Sequence, residues 1–595
     1  MADTAAAIRA AEKAVPPPRM GFVISPFDTG SSEEFRVRHS FSLDHYMETV
    51  PGFVLGRMGP IGADVMLSRY GMGAGRGAVL MAGIPINDPQ NDIAPLALFP
   101  TLTVSSLVFN EGTSNSLVGR VGIEGSVEVV ERTPLPDRPF TAFELSKGRF
   151  NLRQRRVRFA SARSTLGIDL GYDELLNDGY QFDTRELVKG VGYGSSNSRF
   201  HTMNLRGRLP NDETFFFSFR WFKSSFQGDL IDPLSENRRS GHFAVASATL
   251  RSWRFTIYER GYDVSLPDSH TVNNTTGILA TVRGQAGGRI ETELGFGFED
   301  ILSKQAVGDA TCRPKLRVGS VGANATFRAG ENLSGRIEFV LAHHHKGNTG
   351  VGGRAKLQLA LSRDHELSAS LGRSFRLPNL GERFLPLHAS LAVGTDRIVG
   401  NRYLDPEISW EAGASLRSII GFLENEVRFT GIQMQDEIEF LPRQVGGENW
   451  LLPENGGIKR MSFLEERWNA RGSFYGTRLC LSGGAVYAIG EREGFFSPVP
   501  ETRIDAFFSA GRDFFKSSSA LQFSAEYQYS GSRRAFPGPD SPPYGIVHLK
   551  LDVRLVDAHL YLLWLNVFDK EYRTVGPFLM TPRTLVYGVQ WTIFD

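Results

Sequence analysis

The sequence predicts an all-β membrane protein: a transmembrane β-barrel of about 22 antiparallel strands, with an N-terminal α+β plug domain in its lumen. Three observations point there. From about residue 140 to the end the chain repeats segments in which apolar and polar residues alternate. No window holds the ~18 consecutive apolar residues that a spanning helix needs. The first 135 residues have a different texture, with short apolar runs broken by Gly and Pro and little alternation.

Residues 1–30 read as an N-terminal extension or tether. Met1 to Lys13 is Ala-rich and is followed by Pro16-Pro17-Pro18. It contains no continuous apolar h-region. A surface protein needs such a signal, so a mis-set start or a trimmed sequence is expected. Residues 31–135 read as the plug and residues 136–595 as the barrel. The last strand shows the barrel pattern most plainly. Tyr587, Val589, Trp591 and Ile593 share one face, and Gly588, Gln590 and Thr592 share the other. Side chains alternate across a strand, so one face is aromatic and apolar while the other is mostly polar. The same holds in Phe215 to Trp221, in Leu521 to Tyr529 and in Val547 to Leu555, where His548, Lys550, Asp552 and Arg554 line the polar face.

One strand of this kind also suits a half-solvated soluble sheet. Repetition over some 450 residues strains that alternative, because so large an apolar face must be covered. The second region offers no amphipathic helices to cover it, and lipid is the simplest cover. About 455 residues at roughly 20 per strand and turn give about 22 strands, the size at which barrels hold a plugged lumen. Asn177-Asp178-Gly179, Pro210-Asn211-Asp212 and Phe536 to Tyr544 are turn clusters. The polar stretches Glu382 to Tyr403 and Gln444 to Ser462 suit extracellular loops.

Composition excludes several functions. The chain has 595 residues, a net charge of +1 and 2 Cys, so neither a nucleic-acid partner nor a disulfide framework is indicated. Cys312 and Cys480 read as a pair or as two free thiols. No nucleophile elbow, zinc spacing or phosphate loop is present, so no enzyme, metal or cofactor is expected. Gly71 to Gly77 is glycine-rich but lacks the Lys-Ser/Thr of a phosphate loop. Three adjacent His, 343 to 345, point alternately to opposite faces of a strand and read as a solvated strand end.

The motifs resemble those of TonB-dependent outer-membrane receptors. Leu565-Asn566-Val567-Phe568-Asp569-Lys570-Glu571-Tyr572 is similar to the family's N-L-F-D-K-x-Y segment, and Pro582-Arg583-Thr584 to its P-G-R run. Ser374 to Leu380 resembles F-R-A-P. Gly400-Asn401, Leu404, Pro406-Glu407 and Glu411-Ala412-Gly413 resemble G-N-P-x-L-x-P-E … E-x-G. In the plug, Val50-Pro51-Gly52 fits the end of a first helix. Val79 to Asp88, with Gly83, Asn87 and Asp88, resembles V-L-V-D-G-V-P-L-N-D, with Ala82 in place of Asp. Glu111-Gly112 through Gly119 resembles R-G-P-x-S-x-L-Y-G, with Glu111 in place of Arg. Gly125 continues the glycine-rich strand, with Glu124 in place of Gly.

The resemblance implies a bacterial outer-membrane receptor that imports a scarce ligand, such as a siderophore or cobalamin. Its partners would be outer-membrane lipid, the small-molecule ligand and the inner-membrane complex acting through TonB. Phe22, Val23 and Ile24 form an extended apolar segment able to add a strand to TonB, or simply a tether. Loop residues Arg383, His388 and Arg397 are candidate ligand contacts. Haem receptors of the family place an iron-ligating His in the loop of His388, but the plug loops after Pro51 contain no His. In the family the plug Arg pairs with carboxylates of the barrel wall, and Glu111 reverses that charge. A passive receptor or structural barrel without TonB coupling is therefore the alternative.

Overall fold

The computed structural model describes residues 29–31, 38, 43–48, 52–57, 65–73, 75–94, 96, 104–111, 122–131, 138–163, 166–178, 181–183, 191–193, 196–208, 215–229, 236–266, 269–307, 310–385, 388–389, 397–445, 448–490, 499–515, 518–533, 541–574 and 579–594. Its first part is a small α+β unit. The described strands are β1 (Thr29–Ser31), β2 (Phe53–Arg57), β3 (Val65–Arg69), β4 (Ala78–Met81), β5 (Ile84–Pro85), β6 (Val104–Asn110) and β7 (Ser126–Glu131), accompanied by a helix, α1 (Leu43–Glu48). The sheet order is β1-β6-β7-β4-β5, and β2 and β3 form a separate hairpin. β4 runs parallel to β7. The Ala82–Gly83 turn between β4 and β5 has φ of 57° and 80°. That left-handed geometry suits Gly83 and strains the Ala beside it. Leu43, Met47, Leu55, Val79, Ile84, Leu107 and Val127 form the interior of this unit.

From Phe140 onward 22 strands pair antiparallel, each with the next in sequence around the ring. The last strand, Thr584–Phe594, pairs with the first, Phe140–Gly148, so the sheet returns to its start. Connections at one end are tight. Between Phe474 and Thr477 the turn is Tyr475–Gly476, both at positive φ (47° and 76°), as a two-residue hairpin that matches strand twist requires. At the other end connections range from short turns to long loops; the longest among the described strands lies between Arg376 and Glu407. Outer-membrane barrels put short turns on the periplasmic side and long loops outside, which orients the molecule.

The outward face settles the choice between core and lipid. Leu551, Leu555, Leu521, Phe523, Tyr587, Trp591 and Ile593 are all exposed, whereas their alternates Lys550, Asp552, Ser524 and Glu526 are buried toward the lumen. Apolar side chains thus stand outside a ring whose interior is polar, the inverse of a soluble core. Phe296 lies at the middle of one such row, between Leu294 and Phe298. Phe296→Arg is expected to cost the barrel about 2–4 kcal/mol, the penalty of a cation at the bilayer midplane. Urea titrations of refolded barrel in vesicles measure it, and a change near zero would place this row outside the bilayer.

Two sequence expectations are refined. The stretches read as plain loops carry a four-stranded sheet of their own, built from His388–Ala389, Arg397–Ile398, Ile438–Val445 and Glu448–Asn455. The polar composition hid it because its strands bury only isolated apolar residues, such as Ile438 and Leu451. The three His are not all at a solvated end. His343 is exposed and bonds Thr349, but His344 points inward and is buried. Cys312 and Cys480 are separate free thiols.

Candidate functional site: the seam between plug and barrel

The plug meets the wall through residues at the ends of β3, β4 and β6. Arg69 closes β3, and its guanidinium donates to Glu411 of the wall strand Glu407–Ile420 at 3.1 Å. Glu111 follows β6. It accepts from Arg354 at 2.6 Å and pairs with Arg428 at 2.8 Å, both on barrel strands. Arg69 also lies 3.7 Å from Glu111, and Arg354 lies 3.1 Å from Glu411. Arg428 is held in turn by Glu426 at 2.8 Å. Three guanidinium groups and three carboxylates therefore neutralise one another in a buried cluster. The charge reversal at Glu111 is matched by Arg354 and Arg428, so the plug–wall contact is kept with its signs exchanged. Burial alone would raise the Glu111 carboxyl, but Arg428, Arg354, Lys356 and Arg69 outweigh it and hold the carboxyl well below the usual range.

A second cluster lies nearer the outer mouth. Arg76 pairs with Glu407 at 2.9 Å and with Glu437 at 2.7 Å. Arg376, from the segment read as F-R-A-P, bonds Glu407 at 2.5 Å, Glu382 at 2.7 Å and Asp92 of the plug at 3.2 Å. Glu407 further accepts from the backbone N–H of Ile438 at 2.7 Å. Between the two clusters the seam is apolar and aromatic. Tyr70 stacks on Phe463 with ring centroids 4.1 Å apart, and its hydroxyl donates to Glu465 at 3.2 Å.

The V-L-V-D-G-V-P-L-N-D match builds the plug apex. Asn87 is fully buried; its Oδ1 accepts from Val79 N–H at 2.9 Å, and its Nδ2 donates to the carbonyls of Gly77 and Asp92. Asp88 accepts from the wall residue Asn273 at 2.8 Å. Gly125, at φ 110°, accepts from Ala78 N–H through its carbonyl at 3.0 Å. Wall residues Arg260 and Tyr262 donate to the carbonyls of Pro85 and Ile86. Gly112, Gly119, Phe22, Val23 and Ile24 lie outside the described residues.

Glu124, which replaces a glycine, is buried behind β3. It accepts from Ser68 Oγ at 3.1 Å and from Arg69 N–H at 3.0 Å. Burial pushes its carboxyl up to about 8, against the pull of Arg76 and with the push of Glu407. A folded value above the ordinary 4.5 means that folding binds a proton between the two values. The stabilisation is then full below pH 4.5 and is lost as pH rises through about 8. Hydrogen exchange of β3 and β4 amides, corrected for intrinsic rate, is expected to show more protection at pH 5 than at pH 9. Glu124→Gln is expected to flatten that difference. An undiminished difference in the variant would assign it to another group.

The candidate ligand residues fall at the outer mouth. Arg383 is buried in the loop wall, donating to Asn348 Oδ1 at 2.6 Å and to the Arg402 carbonyl at 3.0 Å. The backbones of His388 and Arg397 lie on neighbouring short strands, with Ala389 opposite Arg397. Sequence reading missed Arg354, Arg428, Arg76 and Glu437. The signal for Arg428 was present: it sits between the outward-facing Val427 and Phe429, which turns its cation to the lumen.

A family profile described as TonB dependent receptor-like, beta-barrel, matches residues 129–568. The vitamin B12 transporter BtuB of Vibrio vulnificus (strain YJ016) is 20% identical over 579 residues, covering 89% of this chain and 85% of BtuB. A mutant of the ferric enterobactin receptor PfeA from Pseudomonas aeruginosa superposes with a TM-score of 0.76 at 13% identity, covering 98% of this chain and 99% of its own. A double mutant of the Serratia marcescens hemophore receptor HasR, in complex with its hemophore HasA and heme, gives a TM-score of 0.74 at 14% identity over 95% of this chain and 98% of its own. With a matched profile over most of its length and a plug seated in a ring of 22 strands, the chain belongs to the TonB-dependent receptor β-barrel family of bacterial outer-membrane transporters and receptors.

Proposed function

We propose that the protein imports a scarce small-molecule ligand across the outer membrane, driven by TonB pulling on the segment that precedes the plug. The reading rests on one observation. The plug's buried cluster runs on into wall residues Phe243, Val245 and Tyr258, and beside that apolar contact its grip on the wall is made by ion pairs such as Arg69–Glu411, Glu111–Arg354 and Arg76–Glu407. Buried ion pairs have large opposing terms, attraction against lost hydration. When the plug shifts and water enters, each charge regains hydration, so the seam parts at less cost than its bond list suggests. A dry apolar seam has no such compensation. The plug therefore has the character of a two-state element that ligand and pulling force can bias.

Uptake of small molecules retained by the purified protein is the test. Accumulation is expected to collapse when the inner membrane is de-energised. Equal uptake with and without energy would leave a passive receptor. The charge reversal at Glu111, which favoured the passive alternative, loses that weight because Arg354 and Arg428 answer it. His388 and Arg397, carried on the small outer sheet, are proposed to contact the ligand together with the face of the loop held by Arg383.

A further inference from the structure

The connection between Arg376 and Glu407 turns inward at a one-turn helix, Leu380–Phe384. Asn379 caps it, accepting from Glu382 N–H at 2.8 Å, while the Glu382 carboxylate accepts from Asn379 N–H at 2.8 Å. Leu380 is buried on Ile301, Leu316, Val318 and Val340 of the wall. At the far end Phe384 is surrounded by cations. Lys346 Nζ lies 4.6 Å from its ring centroid, Arg383 Cζ 5.6 Å and Arg402 Cζ 5.9 Å.

Among the described residues no carboxylate pairs with Lys346, Arg383 or Arg402, and Glu382 beside them is engaged by Arg376. Arg383 is 4% exposed and its Nε has no hydrogen-bond partner. Gathering three like charges on one ring is unfavourable by itself, and a ring face offsets only part of it. Burial, then Arg383 and Arg402, push the Lys346 ammonium below its ordinary value, which an arriving anion reverses. Lys346 and Arg402 are exposed, leaving an ammonium and a planar guanidinium fork open to the mouth.

We infer that the Lys346–Arg383–Arg402 cluster around Phe384 is the docking site for a multiply charged oxyanion of the imported ligand. The word "imported" rests on the function proposed above; the anion site does not. The same helix touches the plug. Leu380 N–H donates to the Pro89 carbonyl at 3.0 Å and Gly381 N–H to the Gln90 carbonyl at 2.8 Å. A Cβ on Gly381 would stand 2.6 Å from the Gln90 carbonyl oxygen, so only glycine allows this approach. One helical turn thus links the anion site to the plug apex.

The test uses the full-length protein in detergent and sodium pyrophosphate as probe, followed by isothermal titration. Wild type is expected to bind, and the double variant Lys346→Ala/Arg402→Ala to bind at least about tenfold more weakly, since two charge-assisted contacts are lost. Both side chains are exposed, so the variant is expected to fold, and an unchanged thermal transition confirms it. Absence of pyrophosphate binding to wild type, or a difference under about twofold between the proteins, overturns the proposal. A second arm repeats the titration in nanodiscs with and without phosphatidylglycerol. Undiminished binding supports a soluble ligand, and competition that vanishes in the variant assigns the site to a lipid phosphate and overturns the ligand reading. Energised uptake without pyrophosphate binding would keep the import function and remove this site. Pyrophosphate binding without energised uptake would do the reverse.

Discussion

Replacing Glu111 with Arg is expected to loosen the plug by about 3–5 kcal/mol, the cost of leaving buried charges uncompensated. The carboxylate that now sits 2.6 Å from Arg354 and 2.8 Å from Arg428 would become a third cation beside them, with Arg69 close by. The chain has 7 Trp, all beyond residue 135, so fluorescence reports on the barrel and is blind to the plug. Hydrogen exchange in β6 and β7 is the proper measure, with acceleration on the order of 10²–10⁴-fold expected. Arg354→Glu in the same chain is expected to recover part of the loss, because contacting charges couple by about 0.5–3 kcal/mol. Wild-type exchange in Glu111→Arg would show that the first cluster is not an anchor.

The second large effect is expected at Glu407. Its carboxylate serves Arg76, Arg376 and the Ile438 N–H at once. Glu407→Ala leaves two guanidinium groups competing for Glu437, Glu382 and Asp92, and strips an acceptor from a buried amide. A loss of about 3–5 kcal/mol is expected, concentrated in β4 and the Asp88–Asp92 turn. Glu407→Gln keeps the shape and one acceptor and is expected to lose less. If both variants exchange alike and like wild type, the outer cluster does not hold the plug.

Much of this architecture was legible because strand periodicity is a direct physical signal. The alternation around Leu521 and Val547 predicted which residues face lipid, and Leu521 and Leu551 stand exposed as that alternation requires. The seam was less legible. Glu411 was visible through its motif, but its partners Arg69 and Arg354 are 342 and 57 residues away, and no local pattern encodes such a pairing. Glu111 looked like a broken contact for the same reason: its compensation sits on distant strands. The outer sheet escaped notice because its few buried residues, such as Ile438 and Leu451, are too scattered to leave a sustained periodic trace. The cations around Phe384 come from two different connections, Lys346 from one and Arg383 and Arg402 from the other, and meet only after the long loop folds inward.

The hydrogen bonds between Phe140–Gly148 and Thr584–Phe594 have a kinetic meaning. The earliest wall segment to be synthesised ends up beside the latest, so its free edge must wait for the whole polypeptide before it is satisfied. Ring closure over so long a contour is a slow, late event. Until it happens, two open strand edges face the surroundings, where an unpaired edge is an invitation to wrong partners. Deleting residues 584–595, which removes the closing strand, is therefore a way to trap an unzipped assembly intermediate, not merely a shortened protein.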